Sequence, residues 1–177
     1  MNWIGFWTLI RREVGRFFSV YRQTVLPGLI TSTLYIAIFG FTLEQRISEV
    51  QGVPYTLFIL PGLIMMNTLT NATANTASSM LQMKLLQQLP DLLTAPLSGL
   101  EISLAYIIGG TVRGVVNGLL VLLLGVFLVK LPVMDIFGTI IFIFFVSWAF
   151  SSMGLLLGQL SENWDQLSML QNFVLTP

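Results

Sequence analysis

Three sets of residues have types and spacings that bear on function. Asn67, Asn71 and Asn75 recur every four residues, flanked by Thr68, Thr70, Thr73, Thr76, Ser78 and Ser79. On an α-helix that interval gives one polar face. In an apolar setting such a face hydrogen-bonds to neighbouring helices at about 0.6–2 kcal/mol per contact. It reads either as glue between helices or as the lining of a translocation path or dimer seam. Gly110, Gly114 and Gly118 repeat at the same interval beside Gly109, and Ser147, Ser151, Gly154 and Gly158 echo them further on. Small residues so placed let backbones approach closely, either within one chain or across a subunit interface.

The chemistry that is missing narrows the field. Cysteine and histidine are absent, which removes thiol nucleophiles, disulfides, the commonest general base and the commonest metal ligand. No Gly-rich phosphate loop ending in Gly-Lys-Ser/Thr occurs, and no His-Glu-x-x-His. The long apolar runs hold no carboxylate, the usual relay of a proton-coupled pump. The chain therefore reads as no enzyme, with no metal site and no cofactor of its own. Asn71-Ala72-Thr73 fits a glycosylation sequon but lies inside an apolar run, so it is discounted. Eight basic and eight acidic residues leave a net charge of zero, so nothing attracts nucleic acid.

The elements that must position these residues are membrane helices. Of the 177 residues 55% are hydrophobic and 9% charged, against about 25% charged in a soluble domain. The expected fold is all-α and polytopic, with four complete spans and the start of a fifth. Residues 1–22 read as an interfacial helix. Trp3, Phe6, Trp7, Ile10, Val14, Phe17 and Tyr21 share one face, and Thr8, Arg12, Arg16, Ser19 and Gln23 the other. A cleaved signal peptide would need its basic region nearer the start and a shorter apolar run. Residues 23–177 read as an incomplete transmembrane domain. Its first span, 23–43, measures about 31 Å and has Pro27 in its first turn. A loop with Glu44, Arg46 and Glu49 follows. Pro54, Pro61 and Gly62 are expected to break the next apolar run, which puts the second span at about 61–82.

A connector, 84–101, carries Lys84, Gln87, Gln88, Asp91 and Glu101. Its leucines suggest a short amphipathic helix interrupted at Pro90. The third span is expected at about 110–129, with Arg113 snorkelling at its inner end, since a mid-bilayer arginine costs about 2.5–3.5 kcal/mol or more. Lys130, Pro132 and Asp135 form an outer turn before the fourth span at 136–160. Residues 167–177 start a fifth span but reach only about 16 Å, so a truncated or fragmentary chain is expected. Six of the eight lysines and arginines fall on the side of the N-terminus, which predicts a cytoplasmic N-terminus.

Several of these segments together resemble the permease subunit of ABC-2 type transporters, above all the bacterial inner-membrane exporters of drugs and polysaccharides. The resemblance is carried by Leu26-Pro27, Leu34-Tyr35, Phe39-Gly40 and Phe58-Ile59-Leu60-Pro61-Gly62-Leu63-Ile64-Met65-Met66. It continues in Asp91-Leu92-Leu93-Thr94-Ala95-Pro96-Leu97, Gly109-Gly110 with Arg113-Gly114, and Asn172-Phe173-Val174-Leu175-Thr176-Pro177. It implies six spans, a homodimer of permease halves in the bacterial plasma membrane among its lipids, and a separate cytoplasmic ATPase that binds ATP and Mg. It also implies that the connector is a coupling helix docking on that ATPase, with Gln88, Asp91, Leu92 and Pro96 as contacts. Residues 1–22 would be the connecting helix at the membrane surface. The competing readings are an ATP-independent channel or secondary transporter, and a membrane scaffold without transport activity.

Overall fold

The computed structural model describes residues 2–43, 49–50, 52–133 and 135–175. Glu44 and Arg46 of the expected outer loop, and Thr176 and Pro177, lie outside the described residues.

Helix α1 (Trp3–Ser19) is capped by Asn2, whose side chain accepts a hydrogen bond from the Gly5 N–H at 3.1 Å. Its buried face is Phe6, Leu9, Ile10, Glu13 and Phe17. This face is rotated from the expected one: Trp3 and Trp7 are 67% and 66% exposed, and with Ile4 and Phe18 they leave an outward apolar stripe. Apolar residues cover more than half of the helix circumference, so spacing alone does not say which arc meets protein. Helix α2 (Tyr21–Tyr35) follows after a break at Val20 and runs directly into a π-helix over Ile36–Leu43. Because α2 begins at Tyr21, Pro27 lies inside it rather than in its first turn. There it cannot donate to the carbonyl one turn back. Strands β1 (Glu49–Val50) and β2 (Val53–Pro54) pair antiparallel. Gly52 sits between them at φ 79°, a left-handed backbone that glycine adopts without steric cost. This small hairpin is the strand pairing found among the described residues.

Five helices follow: α3 (Tyr55–Leu85), α4 (Leu89–Thr94), α5 (Gly99–Val129), α6 (Ile136–Leu160) and α7 (Trp164–Leu175). Of these α3, α5 and α6 are long and apolar enough to cross a membrane. At 31 residues each, α3 and α5 measure about 46 Å, more than a hydrocarbon core of about 30 Å requires. The extra length of α3 lies partly at its start, because Pro61 does not break it. A proline inside a long apolar helix forfeits one hydrogen bond, which packing against neighbours can offset. The extra length of α5 comes from a capping box. Ser98 Oγ accepts from the Glu101 N–H at 3.3 Å, and Glu101 Oε2 accepts from the Ser98 N–H at 2.7 Å. Glu101 Oε1 also accepts from the Asn2 N–H at 2.8 Å, which ties the start of α1 to the start of α5. Pro90 likewise opens α4 instead of interrupting it; in the first turn its missing N–H has no helical partner to lose.

The helices pack as a bundle around α3. Phe6, Leu9 and Ile10 of α1 meet Met80 and Met83 of α3, Ala105 and Tyr106 of α5, and Leu155 of α6 in one buried cluster. A second cluster joins Ile64, Val121, Leu122 and Ile143. A third seats Leu167 of α7 against Ala77, Leu81 and Leu157. Of the segment 167–177, expected to start a fifth span, residues 167–175 lie in α7, a helix of twelve residues.

Candidate functional site

The three asparagines of α3 each reach a different helix. Asn67 Nδ2 donates to the Gly28 carbonyl of α2 at 3.2 Å and to Ser32 Oγ at 3.4 Å. Asn71 Oδ1 accepts from Arg113 of α5, from Nε at 3.3 Å and from Nη2 at 3.2 Å. Asn75 accepts from Arg16 Nη2 of α1, on its backbone carbonyl at 2.8 Å and on Oδ1 at 3.2 Å. The rungs are linked, since Asn71 Nδ2 donates to Asn67 Oδ1 at 2.9 Å. An interval of four residues stacks the three side chains about 6 Å apart along one line. The polar face expected from the sequence therefore ties α2, α5 and α1 to α3.

The ladder ends in a buried charge cluster. Glu13 of α1 is 1% exposed. Its Oε1 accepts from Arg12 Nη2 at 2.9 Å, and its Oε2 accepts from Ser79 Oγ at 2.6 Å and lies 3.7 Å from Arg16 Nε. Arg12 Nη2 also donates to the Tyr106 hydroxyl at 2.9 Å. Burial pulls the Arg12 guanidinium down, but hydrogen bonding and charge from Glu13, with Tyr106, outweigh it and hold the group above its ordinary value. Arg16 goes the other way: burial lowers it more than Glu13 raises it. Both remain cations, because an arginine starts so far above neutral pH. Arg16 Nε and Asn75 Nδ2 are buried without a hydrogen-bond partner among the described residues.

Glu13 is the residue that sequence reasoning missed. Its signal was present: it falls between Ile10 and Phe17 at steps of three and four, on the arc that packs against protein, and three residues before Arg16. A carboxylate on a buried arc needs a cationic or hydrogen-bonding partner. Arg113, expected at the inner end of the third span, hydrogen-bonds Asn71 on a neighbouring helix.

The glycines lie against the adjoining face of α3, one residue further round the helix, where α5 and α6 meet it. A Cβ on Gly110 would collide with Thr76 and Ser151; on Gly114, with Ala72 and Ser147; on Gly118, with Thr68, and it would press on Ile143 at 3.2 Å. Each step of four along α5 thus matches one step back along both α3 and α6, so these two run parallel to each other and antiparallel to α5. On α6, a Cβ at Gly154 would strike the Thr73 backbone, and one at Gly158 would come within 2.7 Å of the Ala77 carbonyl oxygen. Thr76 and Ser151 share a hydrogen bond of 2.7 Å across the seam, and Ser151 Oγ donates to the Ile107 carbonyl at 2.8 Å. All five glycines singled out from the sequence are used in packing within the chain.

The connector folds back onto α1. Gln87 takes a left-handed backbone, φ 55°, and turns the chain after α3. The Gln88 N–H reaches the Met83 carbonyl at 3.0 Å and the Gln87 N–H the Lys84 carbonyl at 3.1 Å. These two bonds form a Schellman motif, with glutamine where glycine is usual. Leu89, Leu92 and Leu97 then pack onto the cluster around Phe6 and Ile10. Leu92, expected as a docking contact, is therefore turned toward the protein, while Leu93 is 65% exposed. Gln88, Asp91 and Pro96 are exposed as well. Lys84 Nζ donates to the carbonyls of Gln159 and Ser161 at 2.8 and 2.6 Å. It thereby caps the C-terminus of α6, where a cation is favoured by the helix dipole.

Residues 4–177 match the model of the ABC-2 type transporter family. The chain is 37% identical, over its whole length and 69% of the relative, to the inner membrane transport permease YadH of Escherichia coli K12. The same values hold for the YadH proteins of Escherichia coli O157:H7 and Shigella flexneri. No solved structure matches it significantly. A transmembrane bundle of three long apolar helices, a family match over nearly the whole chain and full-length identity to a transport permease agree: this chain belongs to the ABC-2 type transporter permeases.

Proposed function

We propose that the chain is the membrane-spanning subunit of an ATP-driven exporter in the bacterial inner membrane, and that the connector 84–101 couples it to a separate cytoplasmic ATPase. The N-terminus, the connector and the turn after α6 then face the cytoplasm, as the distribution of lysine and arginine favours. The segment 23–43 is the first of four spans, and 167–177 begins a fifth. Two copies form the substrate path as a homodimer, and the ATPase supplies all ATP and Mg binding.

One observation carries the coupling role: α4 is fastened on one side and bare on the other. Leu89 and Leu92, with Leu97 just after it, seat it on the buried cluster shared by α1, α3, α5 and α6, and α1 is held to α3 through Glu13, Ser79, Arg16 and Asn75. Gln88, Asp91, Leu93 and Pro96 face away. A push on that bare face passes through this cluster and α1 to the asparagine ladder. The test is the double substitution Asp91→Arg with Leu93→Arg in the full-length protein. Its expected outcome is normal insertion and monodispersity, with loss of co-purifying ATPase and of transport-dependent ATP hydrolysis. Unchanged co-purification and hydrolysis would sink the proposal.

A further inference from the structure

A cleft of about 320 Å³ lies between α2 and α3, with Arg113 in its lining. Its character changes along its length. The two helices are joined through the β1–β2 hairpin and run in opposite directions, and the Asn67–Gly28 bond sets their register. Counting from that bond puts Thr24 level with Asn71 and its partner Arg113. Two turns away, about 12 Å by helix geometry, Leu63 and Tyr35 line the other end. One end is cationic and rich in hydrogen-bonding groups, and the other is apolar and aromatic.

Arg113 stands out among the arginines around this ladder. Arg12 and Arg16 share Glu13. No carboxylate among the described residues lies within ion-pairing distance of Arg113. Its hydrogen bonds go to one amide oxygen, that of Asn71. A half-buried guanidinium bonded to one neutral acceptor keeps unused donors and an uncompensated charge. Bidentate oxyanions, phosphate or carboxylate, fit that geometry best.

We propose that this cleft binds an amphipathic molecule by its anionic headgroup, a phosphate ester or carboxylate. The headgroup sits on Arg113 with Asn71 and Thr24 beside it, and the apolar tail lies along Leu63, Met66 and Tyr35. That this molecule is the cargo rests on the permease reading; that the cleft binds it rests on the charge and lining alone.

The experiment uses the full-length permease, purified in a neutral maltoside detergent without its ATPase and titrated calorimetrically. The probes are dodecyl phosphate, inorganic phosphate and dodecanol. Dodecyl phosphate is expected to bind saturably and more tightly than inorganic phosphate, and dodecanol not at all. Arg113→Gln should weaken dodecyl phosphate by about tenfold or more, the size of one lost charge-assisted hydrogen bond, while Arg113→Lys retains much of the binding. Leu63→Trp leaves every charge in place and fills the tail end. It should weaken dodecyl phosphate but spare inorganic phosphate, and so tests the site even if Arg113→Gln does not fold. Equal binding of dodecyl phosphate to the wild type and to whichever of these variants fold would overturn the proposal, as would dodecanol binding as tightly as dodecyl phosphate. Inorganic phosphate binding as tightly as dodecyl phosphate would overturn the amphiphile in favour of a free anion. With no ATPase present, a failed titration leaves the coupling test untouched, and a failed coupling test leaves the titration intact.

Discussion

The two sides of α3 are built on opposite plans. Toward α5 and α6, Thr68, Ala72, Thr76 and the backbone around Thr73 meet glycines so closely that no added atom fits. On the adjoining face, toward α1, α2 and Arg113 of α5, the same helix presents Asn67, Asn71, Asn75 and Ser79 to two arginines, a buried glutamate and an open cleft. The first side is fixed by shape, the second by polar bonds. Shape complementarity has one solution and fails abruptly when it is spoiled. A polar ladder of neutral amides and partly exposed arginines can exchange partners at modest cost, because each contact is worth only about 0.6–2 kcal/mol. A transporter needs one surface that stays together and another that changes. α3 carries both, and what distinguishes them is the presence or absence of side chains at the contact.

The largest effect should come from the tight side. Gly154→Ala places a methyl group against the Thr73 backbone, which cannot rotate away as a side chain can. Overpacking of this kind costs about 3 kcal/mol. The variant is expected to show a lower midpoint when unfolded by SDS in mixed micelles, and a midpoint equal to that of the wild type would break the contrast. Next is the anchor of the polar side. Glu13→Ala strips the counter-charge from Arg12 and Arg16 and leaves Ser79 Oγ without its acceptor. Losing one partner of a fully buried pair costs about 3–5 kcal/mol. Here the arginine side chains are 46% and 31% exposed, and keep access to solvent, so about 2 kcal/mol is expected. Proteolysis should then cut first near α1, freed from the bundle. Protection of that segment unchanged from the wild type would show that Glu13 does not fasten it.

The contrast was half legible in the sequence. The glycine interval of four predicted close packing, and the asparagine interval predicted a polar face, because both depend only on helical periodicity. What each face touches was not legible. Asn71 meets Arg113 across 42 residues and Asn75 meets Arg16 across 59, and no local pattern encodes which helix lies alongside. Helix ends were misread for a related reason. Pro61 and Pro90 look like breaks and Pro27 like a helix start, yet Pro90 starts a helix and the other two are carried inside longer ones. A proline removes one donor; whether that ends a helix depends on how much the rest of the helix gains by packing. Glu13 was overlooked because charge on an amphipathic helix suggests its solvated face, whereas its position between Ile10 and Phe17 put it on the buried one.

The smallest predicted effect sharpens the comparison most, because it repeats the largest one with the same chemical change. Gly28→Ala also adds a single methyl group where a helix meets α3. The atoms in its way are not backbone but the Asn67 amide, with Nδ2 at 2.9 Å and Oδ1 at 3.0 Å from the new Cβ. An amide tip beside an open cleft can swing aside. The substitution forfeits the Asn67–Gly28 bond at 3.2 Å but gains helix propensity, worth about 0.8–1 kcal/mol for alanine over glycine. These terms nearly cancel, so the SDS midpoint should move by less than about 1 kcal/mol, against about 3 for Gly154→Ala. If both glycines proved equally intolerant, the polar side of α3 would be as rigid as the seam, and motion would have to be sought outside this helix. If only Gly154 is intolerant, the α2–α3 contact is the one free to open.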